Sequence, residues 1–154
     1  MTPILDLIAM DHDQRLSYDA WPFYWLTRAH ARYQEALASA LEGSEMDPTS
    51  WRIIMVLKQN PWMTVSDIAA QANSKLSAMT RAIQRMQSKG LVELREGQRD
   101  RRATEVTLTP RGEALVGPAV ETARHVFNRA FAGFDEDKLA QLRALLGDMA
   151  QNLR

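Results

Sequence analysis

With 154 residues, 45% hydrophobic and 25% charged, the chain is long enough for one domain with a sizeable core and too short for two independent ones. No apolar run approaches the roughly 18 residues needed to cross a membrane, and the absence of cysteine excludes disulfides, thiolate metal sites and thiol-based redox sensing together. Nineteen basic residues balance nineteen acidic ones, so the net charge of zero gives no direct sign of a nucleic-acid partner.

The opening MTPILDLIAMDHDQR carries acids where a secretion signal would carry basic residues, so a cytoplasmic protein is expected. From Tyr18 to Leu41 the spacing of Phe23, Leu26, Tyr33, Leu37 and Leu41 predicts a long first helix ending before Gly43. Asp47-Pro48 supplies an N-cap with proline behind it, and Trp51, Ile54, Met55 and Leu57 form the apolar face of a second helix stopping near Asn60-Pro61. Thr64-x-x-Asp67 caps a short third helix through Ala72. After Asn73-Ser74 a fourth helix carries Leu76, Met79, Ile83 and Met86 as one buried stripe and ends at Gly90.

The period then changes. Leu91–Arg95 is extended, Glu96–Asp100 is a polar turn containing Gly97, and Thr104–Leu108 alternates with β-branched residues, which predicts a hairpin. Thr109-Pro110 opens a fifth helix expected to run unbroken to about Phe131, and Asp135 caps a sixth with Leu139, Leu142, Leu145, Leu146 and Met149 on one face. The expected fold is therefore mainly α with a small β-hairpin wing. Its segments are residues 1–46 (helical dimerisation), 47–109 (winged helix-turn-helix) and 110–154 (helical dimerisation).

Two short helices, a tight turn and a hairpin describe a winged helix-turn-helix, whose second short helix enters the major groove of duplex DNA. Charge supports this locally. Between Ser74 and Arg102 stand Lys75, Arg81, Arg85, Lys89, Arg95, Arg99, Arg101 and Arg102 against Glu93, Glu96 and Asp100, a local excess of five positive charges on an otherwise acidic chain. With Leu76, Met79 and Ile83 turned inward, Ser74, Lys75, Ser77, Ala78, Thr80, Arg81 and Arg85 are expected to face DNA, with Arg81 on a base and Arg85 and Lys89 on phosphates. Arg95 joins this set from the hairpin, and the tip adds Arg99, Arg101 and Arg102 for the minor groove, with Asp100 holding a neighbouring arginine. A merely solvated basic face is the alternative.

These residues resemble the MarR family of bacterial regulators. The likeness lies in Ser77-Ala78-Met79-Thr80-Arg81, Lys89-Gly90-Leu91-Val92, Asp100-Arg101-Arg102-Ala103 and Val106-Thr107-Leu108-Thr109-Pro110-Arg111-Gly112, in that order and spacing. The resemblance implies a six-helix dimer intertwined through its first, fifth and sixth helices, bound to a pseudo-palindromic double-stranded DNA operator. It makes Arg81 the recognition-helix arginine, Arg101 the minor-groove wing arginine, and Asp100 with Arg102 the pair bracing the wing. Leu94 departs from it, since many relatives carry a basic residue there. Independently, the apolar stripe of the last helix is one that a short C-terminal segment can seldom bury entirely within a small monomer; intramolecular core is the alternative, and a homodimer is expected because two-fold DNA readers need paired half-sites.

Tyr18, Trp21, Phe23, Tyr24 and Trp25 lie close together, followed by Arg28, His30 and Arg32, with Trp51 on the second helix. Rings with a few cationic groups suit an aromatic carboxylate or phenolate, and equally a helix packed against a dimer partner. The family resemblance implies a small aromatic effector that releases a repressor from DNA, with Trp25, Arg28, His30 and Trp51 as pocket residues. Asp11-His12-Asp13, His30 and His125 raise metal sensing as an alternative, but three scattered histidines lack the spacing of a dedicated site, so no metal and no cofactor is expected. No phosphate loop, nucleophile elbow or His-Glu-x-x-His marks an enzyme. A winged-helix interaction dimer that does not use DNA is a further alternative.

Overall fold

The computed structural model describes residues 18–154; contacts along the chain separate residues up to Ala36 from a second unit running from Leu37 to Arg154. In the first, a turn of 3-10 helix (Tyr18–Ala20) leads into α1 (Pro22–Ala40), whose last four residues belong to the second unit. No residue from 18 to 36 is fully buried, and the local order there comes from neighbouring rings, with Tyr18 5.0 Å from Tyr24 and Tyr24 5.1 Å from Trp25.

The second unit is organised by its caps. At the head of α2 (Pro48–Gln59) the Asp47 carboxylate accepts from the backbone N–H groups of Thr49 and Ser50, and the Ser50 hydroxyl accepts from the Asp47 N–H in return. Strand β1 (Met63–Thr64) and α3 (Val65–Gln71) follow, the latter capped by the Thr64 hydroxyl. Helix α3 ends in a left-handed Asn73 with φ +47°, where the N–H groups of Asn73 and Ser74 return to the carbonyls of Ala70 and Ala69. The same closure recurs after α4 (Leu76–Ser88), with Gly90 at φ +69° and Leu91 bonded back to Met86. At these two closures the sequence places an asparagine or a glycine, the residues that best tolerate a positive φ.

Strands β2 (Val92–Glu96) and β3 (Thr104–Leu108) form the expected hairpin, but the sheet has three strands in the order β1-β3-β2. The extra strand, Met63–Thr64, lies antiparallel to Val106 and Glu105. Two residues are too few to show an alternating pattern, so β1 escaped the sequence reading.

The single fifth helix is a second correction. It is broken into α5 (Pro110–Glu113) and α6 (Val116–Ala130), with Ala114 and Leu115 between them. Pro118 explains the break: it has no N–H to give the Ala114 carbonyl and its ring crowds that group, so it is accommodated only in the first turn of a new helix. Helix α7 (Glu136–Asn152) starts at Asp135 as expected.

The core gathers Leu37 and Leu41, Ile53, Ile54 and Leu57 of α2, Ile68 of α3, Met79, Ile83 and Met86 of α4, Val106 and Leu108 of β3, and Ala119 of α6. Trp51 fastens α2 to α6 by donating its indole N–H to the Ala119 carbonyl at 2.9 Å. Among the described residues, no helix is long and apolar enough to cross a membrane.

Candidate nucleic-acid interface

Helix α4 buries Met79, Ala82, Ile83 and Met86, and this one-sided burial leaves Lys75, Ser77, Ala78, Arg81 and Arg85 exposed. Leu76 does not join the buried stripe: it is 52% exposed. It shares the angular position of Ile83 but lies in the first turn, so an apolar face predicts direction without guaranteeing that core extends as far as the helix tip. Ser74 and Thr80 are half-buried, and the Thr80 hydroxyl bonds back to the Leu76 carbonyl at 2.9 Å. Among the described residues no carboxylate pairs with Arg81, whereas Arg85 lies 3.8 Å from Asp47. Lys89 gives its carbonyl to Arg111 at 2.8 Å, and Arg111 also reaches Glu45 at 2.6 Å, so one guanidinium joins the end of α4, the start of α5 and the approach to α2.

The wing tip is closed by backbone contacts. The Gly97 N–H donates to the Ala103 carbonyl at 2.8 Å, and the Ala103 N–H to the Asp100 carbonyl at 3.0 Å. A Cβ on Gly97 would collide with the Asp100 carbonyl, which is why the turn carries glycine. Asp100 does hold its neighbour, but through the main chain: its carboxylate accepts the Arg102 backbone N–H at 2.9 Å, and no ion pair to the Arg102 guanidinium forms. Arg99, Arg101 and Arg102 are left exposed with no carboxylate partner among the described residues.

Arg95 is different. Its Nε donates to Glu105 at 2.8 Å, directly across the strands, and its guanidinium lies 3.7 Å from the centre of the Trp62 ring. Leu94 faces the other side of the sheet, opposite Val106 and packed on the core, which gives its apolar character a structural reason.

Below the wing, Gly112 is held so close to the Leu91 carbonyl that any Cβ would overlap it, while the Thr109 hydroxyl donates to the Gly90 carbonyl at 2.6 Å and accepts from the Gly112 N–H. The stretch Thr109-Pro110-Arg111-Gly112 thus locks the end of α4 to the return strand of the wing.

The residues expected around an effector have separate local partners. On α1, the Trp25 indole donates to the Asp19 carbonyl at 2.6 Å, Arg28 donates to the Tyr24 hydroxyl at 2.8 Å, and His30 lies 3.4 Å from the Gln34 amide. Trp51 is half-buried in the second unit with its N–H committed to Ala119. Asp11-His12-Asp13 lie outside the described residues, and among the described residues no three His, Asp or Glu side chains gather as metal ligands.

The MarR family model matches residues 44–103. The transcriptional repressor IacR of Pseudomonas putida is 33% identical over 86% of this chain and 80% of its own length. The chain belongs to the MarR family. MarR proteins are transcriptional regulators rather than enzymes. A structure of BpsR from Bordetella bronchiseptica, concerned with regulation of its DNA binding by 6-hydroxynicotinic acid, superposes with a TM-score of 0.75 at 23% identity, over 82% of this chain and 96% of BpsR. A mutant of MarR from E. coli complexed with operator DNA gives 0.74 at 20% identity, over 85% of this chain and 95% of that one.

Within this MarR fold Trp62, Glu105 and Glu45 take structural roles beyond those expected from the sequence, and Arg111, quoted above only for its place in the family motif, joins α4 to Glu45. Glu105 had a usable signal, an acid opposite Arg95 in the hairpin register. Trp62 had none, because its contact with Arg95 depends on the left-handed turn before β1.

Proposed function

We propose that the chain is a repressor that binds a pseudo-palindromic operator as a homodimer, with residues 47–109 reading DNA and residues 1–46 and 110–154 serving dimerisation. The observation that carries this reading is the presentation, by one module, of exposed arginines with no carboxylate partner among the described residues: Arg81 on the open face of α4, and Arg99, Arg101 and Arg102 on the wing tip. A guanidinium on a helix of this width suits guanine O6 and N7 in the major groove, and arginines on a thin hairpin suit the narrow minor groove. Ser77 and Ala78 are short enough to let the backbone approach the bases, and Lys75, Arg85 and Lys89 flank them toward the phosphates. Such a regulator works in the cytoplasm, beside the chromosome.

The paired form is supported by apolar side chains left exposed on α6 and α7 and between them, among them Phe127 on α6, Phe134 in the connection, and Leu145 and Leu146 on α7. Release by a small aromatic carboxylate is supported by the ring-rich α1 with Trp25, Arg28 and His30, by Trp51, and by the heteroaromatic acid that regulates BpsR.

A mobility-shift series on the upstream region of the gene tests the reading. At about 50 mM salt a discrete complex is expected that weakens by orders of magnitude at about 200 mM, as counterion release requires. Weak, salt-insensitive retention would instead favour an interaction module. Added benzoate-, cinnamate- or nicotinate-like acids are expected to dissolve the complex and raise the melting temperature; no effect at millimolar concentration removes the effector part alone.

A further inference from the structure

We propose that Trp62, Arg95 and Glu105 form a positioning stack that sets the pose of the wing, so that Arg95 serves DNA binding through the wing tip rather than by touching phosphate. The proposal rests on the DNA-binding reading above. Three elements meet in the stack: the turn before β1, strand β2 and strand β3. Arg95 and Glu105 are cross-strand partners in register, and their side chains are 33% and 13% exposed, so the pair is more enclosed than Arg32–Glu35, Arg85–Asp47, Arg111–Glu45 and Arg124–Glu121. The second Glu105 oxygen lies 3.4 Å from the Gln98 N–H, so the same carboxylate also touches the turn that carries the tip.

Trp62 adds direction. It stands at φ +60°, a left-handed conformation that a bulky side chain adopts only when its surroundings over-determine it. Its ring lies flat enough under Arg95 for the guanidinium carbon to sit 3.7 Å from the ring centre. The wing is thereby keyed to the chain that enters α3, the first helix of the DNA-reading pair. Glu105 also matters by its sign. A largely enclosed carboxylate on a surface meant for phosphate repels the ligand, so its presence there is accounted for by what it holds in place.

The test uses the full chain and a duplex enriched by the wild-type protein from a random-sequence pool, with affinity read by fluorescence anisotropy and folding by circular dichroism. Glu105→Gln removes one negative charge, so simple electrostatics predicts tighter binding; the stack predicts binding weakened by about tenfold. Arg95→Lys keeps the charge but loses the flat fork and is expected to show the same loss. Trp62→Gly relieves the strained backbone, stays folded and also binds weakly. On a background with Arg99, Arg101 and Arg102 all changed to Ala, where the tip no longer reports its position, Glu105→Gln is expected to change affinity by no more than about twofold. Unchanged or tighter binding by Glu105→Gln, full affinity in Arg95→Lys, or an undiminished Glu105→Gln loss on that tip-less background overturns the stack while leaving the DNA reading intact. Failure of the wild-type protein to enrich any duplex overturns both.

Discussion

Helices α4 and α7 both carry apolar stripes, and they fare differently. Helix α4 has 13 residues and buries four of them, leaving a basic and hydroxylic face outward. Helix α7 has 17 residues and buries none, with Leu145 67% exposed. The first stripe is satisfied by the chain itself, while the second is still looking for a cover. An apolar stripe therefore establishes that a face is to be buried, and only the packing shows whether its own chain or another does the burying.

That contrast can be broken from either side. The largest effect is expected in the core: Ile83→Ala removes a fully buried side chain of α4 and should lower unfolding stability by about 3–4 kcal/mol in urea melts. Gly112→Ala, which would drive a Cβ into the Leu91 carbonyl, should cost about 2–3 kcal/mol by the same measurement and loosen the end of α4. On the outer face, Arg81→Ala should leave stability unchanged but cost about 1–3 kcal/mol in operator binding and relax base preference, whereas Arg85→Ala should weaken all duplexes alike. Equal losses from Arg81→Ala on operator and random DNA would remove its assignment to a base. The smallest stability effect belongs to α7, where Leu145→Ser should change unfolding of dilute protein by no more than about 0.5 kcal/mol. The same change should shift sedimentation toward the monomer; a large loss of stability without a change in mass would show that α7 belongs to the intramolecular core.

Much of the fold was legible because the caps are spelled in local residues. Asp47-Pro48, Thr64 with Asp67, Thr109-Pro110 and Asp135 all stand where helices start, and Gly90 stands where α4 stops. What escaped needed information from elsewhere in the chain. Strand β1 exists only because β3 offers it an edge, and Leu76 is exposed because core is missing opposite it, although its spacing is that of a buried residue. Pro118 is a breaker by its missing N–H, a signal masked by the strong helical period of the residues around it. The candidate site divides in the same way. The exposure of Arg81, Arg99, Arg101 and Arg102 followed from helix period and turn composition, whereas the engagement of Arg95 by Trp62 and Glu105 depends on tertiary geometry.

The closures at Asn73 and Gly90 bracket α4 on both sides, so the helix offered to DNA has its preceding turn and its final turn set before any ligand arrives. In entropic terms, a segment already confined to one conformation loses little freedom when it docks. On the DNA-binding reading proposed above, the conformational entropy lost on docking then falls mainly on the long arginine side chains of the wing tip, a small, solvent-facing group of residues, rather than on the helix.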